Sequence, residues 1–231
     1  MRILVTRPRA DAETFAARLH ALGHSTLIEP LIDIAYRDGP ALDLTHVQAL
    51  AFTSANGARA AAKRTSNRTI KVLAVGPTTA AEARTLGFGD VSESPGEGVA
   101  GLAAHIRATQ NPGAGAILHA TGTVTAGDLK AALPNFTIRT EQLYEGQTAS
   151  ELSGAVVAEL EAGLIDAATF FSPRTAALFA ALTQGIAADC RRLDALCLST
   201  AVANALAPLT FRGLRVAEKP TAEALLQLLA P

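Results

Sequence analysis

The stretch LAFTSANGAR, residues Leu50–Arg59, gives the clearest indication of the fold. Its apolar start predicts the end of a buried β-strand, and the hydroxyl pair Thr53 and Ser54 before ANGAR predicts the start of a helix. A strand that passes directly into a helix leaves the first backbone N–H groups of that helix unpaired. Such groups can bind an anion without any charged side chain. LAFTSANGAR therefore predicts a βα unit with an anion site at its turn.

The same arrangement recurs along the chain. Hydroxyl groups stand at further predicted strand-to-helix turns, namely Thr6–Arg7, Thr78–Thr79, Thr121–Gly122, Ser172 and Ser199–Thr200. Alternating strands and helices indicate a parallel sheet with helices on both faces, and such sheets bind ligands at the carboxyl ends of their strands. The alternative interpretation is that each Ser or Thr only caps a helix. Six such turns together favour a cleft with many neutral donors, suited to a ligand with several carboxylates.

The two halves of the chain resemble each other. AFTSANGARA (51–60) aligns with TFFSPRTAAL (169–178), and ILHATG (117–122) aligns with ILVTRP (3–8). The alternative is chance similarity among Ala-rich βα units. The repeat predicts two five-stranded, doubly wound sheets built from four segments, 1–34, 47–109, 114–146 and 165–229. The sequence itself leaves open whether 1–34 pairs with 47–109 or with 165–229.

The sequence also predicts one strand that contains a proline and one helix after the turn at Thr121–Gly122. Ser25–Ile34 reads as one strand with Pro30 inside it, which predicts an edge position or a bend where the strand leaves its sheet. Ala126–Leu133 reads as a helix that follows the turn at Thr121–Gly122.

Composition limits the classes of function. Lys and Arg number 20 against 21 Asp and Glu, so the chain has no electrostatic footprint for nucleic acid or for an anionic membrane. The N-terminal sequence becomes charged before any apolar stretch of signal-peptide length, and no uninterrupted membrane span is predicted. The two cysteines, Cys190 and Cys197, have no metal-ligand spacing and suggest buried thiols in a reducing compartment. We therefore expect a cytoplasmic protein.

Common catalytic motifs do not occur. The sequence has no GxGxxG after the first strand, no P-loop and no GxSxG elbow. The five histidines are scattered, and no metal site can be assembled from them with the usual spacing. We therefore expect neither a metal nor a nucleotide cofactor.

The motifs VTRP (5–8), FTSANGARA (52–60), AVGPTTAAEA (74–83), LYE (143–145) and FFSPRTA (170–176), in this order and spacing, resemble the uroporphyrinogen-III synthase family. The resemblance spans the whole chain. It implies two flavodoxin-like α/β domains, the second inserted into the first and joined to it by a two-stranded linker. Domain 1 would comprise residues 1–35 plus 148–231, and domain 2 residues 38–145.

The resemblance also implies a reaction without a cofactor. Linear hydroxymethylbilane would lose its hydroxyl group, invert its last pyrrole ring through a spiro intermediate and close as uroporphyrinogen III. Tyr144 matches the tyrosine that the family places in its cleft, and it is the candidate catalytic residue. The expected substrate-binding residues are Thr6, Arg7, Thr53, Ser54, Ala55, Asn56, Thr79, Gly122, Ser172, Arg174 and Thr200. We expect a monomer.

The chain departs from the family pattern in three places. Where relatives often read Arg-Gly and then Arg-Gly-Asp-Leu, this chain has Thr121–Gly122 and Ala126–Leu129, so two cations are missing. Cys197–Leu198 replaces a Gly-Pro pair. Arg7 and Arg174 therefore become the cationic candidates. The alternative function is a two-lobed small-ligand binding or sensor module without turnover.

Overall fold

The computed structural model describes residues 1–125 and 127–229. The strands are β1 (Arg2–Val5), β2 (Ser25–Ile28), β3 (Ile32–Tyr36), β4 (Val47–Phe52), β5 (Lys71–Ala74), β6 (Val91–Glu93), β7 (Ala116–Gly122), β8 (Ile138–Thr148), β9 (Ala167–Phe170), β10 (Asp194–Cys197) and β11 (Gly213–Val216). The α-helices are α1 (Arg9–Ala21), α2 (Ala55–Arg64), α3 (Pro77–Thr85), α4 (Gly98–Thr109), α5 (Leu129–Ala132), α6 (Gly154–Glu161), α7 (Pro173–Leu182), α8 (Thr200–Ala205) and α9 (Ala222–Gln227). Short 3-10 helices occupy Pro112–Ala114, Gln184–Ile186 and Asp189–Arg192.

The chain folds as two compact units. The first unit contains Met1–Asp33 and the chain from Gln147 onward, and the second contains Ile34–Gly146. Two strands, β3 and β8, cross the boundaries between the units and are neighbours in one sheet.

The first unit is built on a five-stranded sheet in the order β11-β10-β9-β1-β2. Every pair in this sheet is parallel. Alternate residues of β1 pack into different cores: Leu4 belongs to the core with Phe170 and Phe179, and Ile3 to the core with Phe15 and Leu19. The sheet is thus covered on both faces, as the continuous apolar strands predict. The strand order reverses between β1 and β9, so ligands are expected at that edge.

The second unit has a six-stranded sheet in the order β3-β8-β7-β4-β5-β6. The prediction of five strands is wrong for this sheet, because β3 adds a sixth strand beside β8. The pairs β8·β7, β7·β4, β4·β5 and β5·β6 are parallel. Its strand order reverses between β7 and β4, and LAFTSANGAR lies at this reversal, where sheets of this type bind ligands. The predicted fold class is confirmed, and segment 1–34 shares its sheet with 165–229.

The single strand predicted for Ser25–Ile34 is wrong. β2 ends at Ile28 as the edge strand of the first sheet, and β3 begins at Ile32 beside β8. Pro30 lies between them and has no N–H group to donate to a sheet ladder. The bend predicted at Pro30 is therefore where the chain leaves the first sheet.

The helix predicted for Ala126–Leu133 is also too long. Asp128 is the N-cap of α5, and its side chain accepts a hydrogen bond of 3.0 Å from the N–H of Ala131. The helix consequently begins at Leu129, while Ala126 lies outside the described residues. Across residues 1–125 and 127–229, no helix has the length and hydrophobicity needed to span a membrane.

Candidate functional site

The turn between β4 and α2 brings Ser54 to Tyr144. Ser54 is the N-cap of α2, and its Oγ accepts a hydrogen bond of 3.2 Å from the N–H of Gly57. The same oxygen lies 2.8 Å from the phenolic oxygen of Tyr144 in β8. The half-buried Tyr144 is thereby fixed at the start of a helix.

This hydrogen-bonded pair leaves one proton available. Either hydroxyl can donate to the other. When Ser54 donates, its lone pairs still serve the Gly57 N–H group, and the Tyr144 proton is free for a third group. A phenol so placed can act as a weak general acid.

Gly122, at the end of β7, lies directly against the ring of Tyr144. A Cβ atom at position 122 would lie 2.7 Å from Cε2 of Tyr144, closer than two non-bonded carbon atoms normally approach. Gly57 has a comparable role, because a Cβ there would lie 2.7 Å from the carbonyl oxygen of Ala120. Glycines at both positions therefore let α2, β7 and the tyrosine ring pack closely.

The first turn of α2 also carries unpaired donors. In the described part of the chain, the backbone N–H groups of Ala55 and Asn56 have no hydrogen-bond partner. They point out of the positive end of the helix dipole. This turn can hold a carboxylate.

His119 is a site neighbour that the sequence analysis missed. Its Nε2 lies 3.1 Å from Oγ1 of Thr53, and the side chain is buried. Burial lowers the pKa of His119 from its usual value, and the negative charge of Asp128 opposes this only in part. A neutral imidazole therefore fixes the Thr53 hydroxyl. The one available signal was its place at the end of a strand, just before the turn at Thr121–Gly122.

Thr79 lies in the first turn of α3, after the N-cap Gly76. Its side chain is buried, whereas the preceding Thr78 is exposed.

In the first unit, Thr6, Arg7 and Ser172 meet at one cavity. It has a volume of about 220 Å³, and its lining residues are Thr6, Arg7, Pro8, Asp11, Ile32, Phe171, Ser172 and Thr175. The guanidinium carbon of Arg7 lies 4.1 Å from the ring centroid of Phe171, and Nη2 lies 3.3 Å from a carboxylate oxygen of Asp11. The cavity therefore presents one cation on an aromatic surface.

The hydroxyl groups at this cavity have structural partners. Thr6 is buried and donates a hydrogen bond of 2.8 Å to the carbonyl oxygen of Thr169. Ser172 is the N-cap of α7, accepts from the N–H of Thr175 and donates to the hydroxyl of Thr175. Ser54, Ser172 and Ser199 thus each cap a helix.

Arg174 and Thr200 are not among the residues that line this cavity. Arg174 is exposed in the first turn of α7 and Thr200 is exposed at the start of α8. Among the described residues, no group of three or more His, Cys, Asp or Glu side chains is placed to hold a metal ion.

Residues 13–227 match the family model described as "Uroporphyrinogen-III synthase HemD". The chain belongs to this family. No match was found among curated proteins.

Two solved uroporphyrinogen-III synthases share the fold. One is the uroporphyrinogen-III synthetase from Helicobacter pylori 26695, with 19% identity, a TM-score of 0.64 and coverage of 99% of this chain and 98% of that chain. The other is a mutant enzyme from the extremely thermophilic bacterium Thermus thermophilus, with 15% identity, a TM-score of 0.51 and coverage of 99% of this chain and 97% of that chain. The likeness supports the two-unit α/β architecture.

Two of the positions that depart from the uroporphyrinogen-III synthase pattern have buried side chains. Thr121, where an arginine is expected, is buried and donates to the carbonyl oxygen of Gly122 at 3.3 Å. Cys197, which belongs to the pair that replaces Gly-Pro, is buried at the end of β10. Neither of these buried side chains carries a positive charge.

Proposed function

We propose that this chain is a uroporphyrinogen-III synthase that converts hydroxymethylbilane into uroporphyrinogen III and water in tetrapyrrole biosynthesis. The observation that carries the proposal is the hydrogen bond of 2.8 Å between Tyr144 and Ser54 at the start of α2. This hydrogen bond supports a role for the Tyr144 phenol as a proton donor close to unpaired N–H groups suited to carboxylates. We further propose a monomeric, cytoplasmic enzyme that acts without a cofactor.

The chemistry requires one proton donor. The C–O bond of the hydroxymethyl group breaks, and the leaving oxygen departs as water with the Tyr144 proton. The last pyrrole ring attacks the resulting cation through its substituted α-carbon, which gives the spiro intermediate. The bond from that carbon to the methylene of the preceding ring then breaks, and the methylene bonds to the free α-carbon of the last ring, so that this ring is inverted. The carbon that finally closes the macrocycle releases a proton, which restores the phenol. Atoms and charge balance as loss of one water.

Holding the substrate is the larger part of the task, because a flexible chain must be folded before it closes. Its eight carboxylates suit the backbone donors of Ala55 and Asn56 and the guanidinium of Arg7. The complete proposed substrate-binding set is Thr6, Arg7, Thr53, Ser54, Ala55, Asn56, Thr79, Gly122, Ser172, Arg174 and Thr200.

The test supplies freshly prepared hydroxymethylbilane and separates the oxidised products. We expect the type III isomer to dominate and to increase with enzyme concentration. The spontaneous type I isomer alone would overturn the proposal. If the protein binds the substrate or product without changing the isomer ratio, the alternative of a binding or sensor module is correct.

A further inference from the structure

Arg59 connects Asn56 to helix α3. Its Nη1 donates a hydrogen bond of 3.0 Å to Oδ1 of Asn56. Its Nε and Nη2 donate to the two carboxylate oxygens of Glu82, at 2.9 and 3.0 Å. Two parallel charge-assisted bonds fix the plane of the guanidinium group. With only 17% of the Arg59 side chain and 24% of the Glu82 side chain exposed, this fork is partly shielded from water.

The chemistry of arginine fixes the orientation of the Asn56 amide. A guanidinium group has only donors, so the amide atom that faces Arg59 must be the oxygen. The NH2 group of Asn56 is then directed away from Arg59, and in the described part of the chain it has no hydrogen-bond partner. It lies on the same helical turn as the unpaired backbone N–H groups of Ala55 and Asn56.

The charge of Arg59 is already matched by Glu82. Because the two form a complete fork, Arg59 adds little net positive charge to the turn. Any anion at the start of α2 is therefore held by neutral donors, and the direction of the Asn56 amide decides whether this side chain attracts or repels it.

We propose that Glu82 and Arg59 are positioning residues that hold the Asn56 NH2 group toward a carboxylate of the bound substrate. This inference rests on the proposed function and assigns roles to two residues outside the proposed substrate-binding set. Neither residue touches the substrate; both act through Asn56.

Asn56→Asp is the first variant. Asp has the shape of Asn and still accepts from Arg59, so the fold is retained. It replaces the NH2 group by a negatively charged oxygen, which repels a carboxylate. We expect KM to rise about tenfold or more, with a smaller change in kcat, and Tm to be unchanged or raised. An unchanged KM would overturn the inference.

The second experiment measures the coupling between Glu82 and Asn56 in their effects on KM. Glu82→Gln should raise KM several-fold more in the wild-type background than in an Asn56→Ala background, where there is no amide to orient and only the loss of the Glu82 charge remains. Glu159→Gln is the matched control, since Glu159 forms a similar fork with Arg2 at 2.7 and 2.9 Å in the first unit. It should not change KM. Equal effects of Glu82→Gln in both backgrounds would show a merely structural role.

A third measurement does not depend on turnover. In ¹H–¹⁵N NMR spectra, the side-chain NH2 signals of Asn56 are those lost in Asn56→Asp. They should shift when uroporphyrin I, an octacarboxylate, is added, and this response should weaken in Glu82→Gln. Absence of the type III isomer in the turnover assay overturns the proposed function; NH2 signals that do not respond to the octacarboxylate overturn the inference.

Discussion

Ser54 Oγ lies 2.8 Å from the phenolic oxygen of Tyr144, although the two residues are 90 positions apart in the chain. The bond joins the N-cap of α2 to strand β8. Since Ser54 Oγ also accepts a hydrogen bond from the N–H of Gly57, the position of the phenol depends on how the helix begins.

Tyr144→Phe removes the phenolic proton donor and keeps the aromatic ring. We expect kcat to fall about 10- to 100-fold, at or below the low end of general acid catalysis, because the substrate ionises readily. KM and Tm should change little. Steady-state assay of the type III isomer and a thermal melt measure these effects. An unchanged kcat would show that Tyr144 has a packing role and no part in catalysis.

Ser54→Ala removes both the cap and the partner of Tyr144. We expect a loss of about 1 kcal/mol in the free energy of unfolding and a decrease in kcat that does not add to that of Tyr144→Phe. Ser153→Ala is the control, because Ser153 caps α6 outside the candidate site. It should reduce stability without lowering kcat. Fully additive effects of Ser54→Ala and Tyr144→Phe on kcat would show that the two side chains act independently.

Gly122→Ala should displace the ring of Tyr144. The three atoms nearest to the added Cβ all belong to Tyr144, the closest at 2.7 Å. We expect a loss of about 1–3 kcal/mol in unfolding free energy, which should largely disappear in a Tyr144→Ala background. Denaturant titration of the wild type, Gly122→Ala, Tyr144→Ala and the double variant measures this loss. Gly154→Ala, whose Cβ meets open space, is the control. An equal loss in both backgrounds would contradict the assigned contact.

The local chemistry of the βα turns could be predicted from the sequence. LAFTSANGAR contains an apolar run, a hydroxyl residue and a helix-forming stretch in direct succession, and β4 ends at Phe52 with α2 beginning at Ala55. Ser172 follows the same pattern before α7. Such caps depend on residues within one turn, so short stretches of sequence determine them.

The contacts between distant segments could not be predicted in this way. The Arg59–Glu82 fork and the contact of Tyr144 with Ser54 need α2, α3 and β8 in their final places. Pro30 indicated a bend, yet only the assembled sheets show that β2 and β3 have different neighbours. Long-range pairing follows from the packing of whole elements, which local patterns do not encode.

The two cysteines should be unreactive in the folded protein. Both are buried, and burial raises the pKa of Cys190 and raises that of Cys197 to about 11. At pH 8 only about one Cys197 in a thousand would then be a thiolate, the form that reacts. With a disulfide reagent we expect no rapid labelling of the native protein and two thiols after unfolding in guanidinium. Rapid labelling of the native protein would contradict this.

His119 should make stability depend on pH. Burial lowers its pKa from the usual value of 6.5, so below about pH 6.5 the unfolded chain takes up a proton that the folded protein resists. The free energy of unfolding should therefore decrease as the pH falls from about 7.5 to about 5.5. In His119→Gln, whose side chain keeps a polar group near Thr53 but does not titrate, this part of the decrease should be missing. Denaturant midpoints of both proteins at the two pH values measure the difference. Parallel decreases in the two proteins would mean that His119 is not the group responsible.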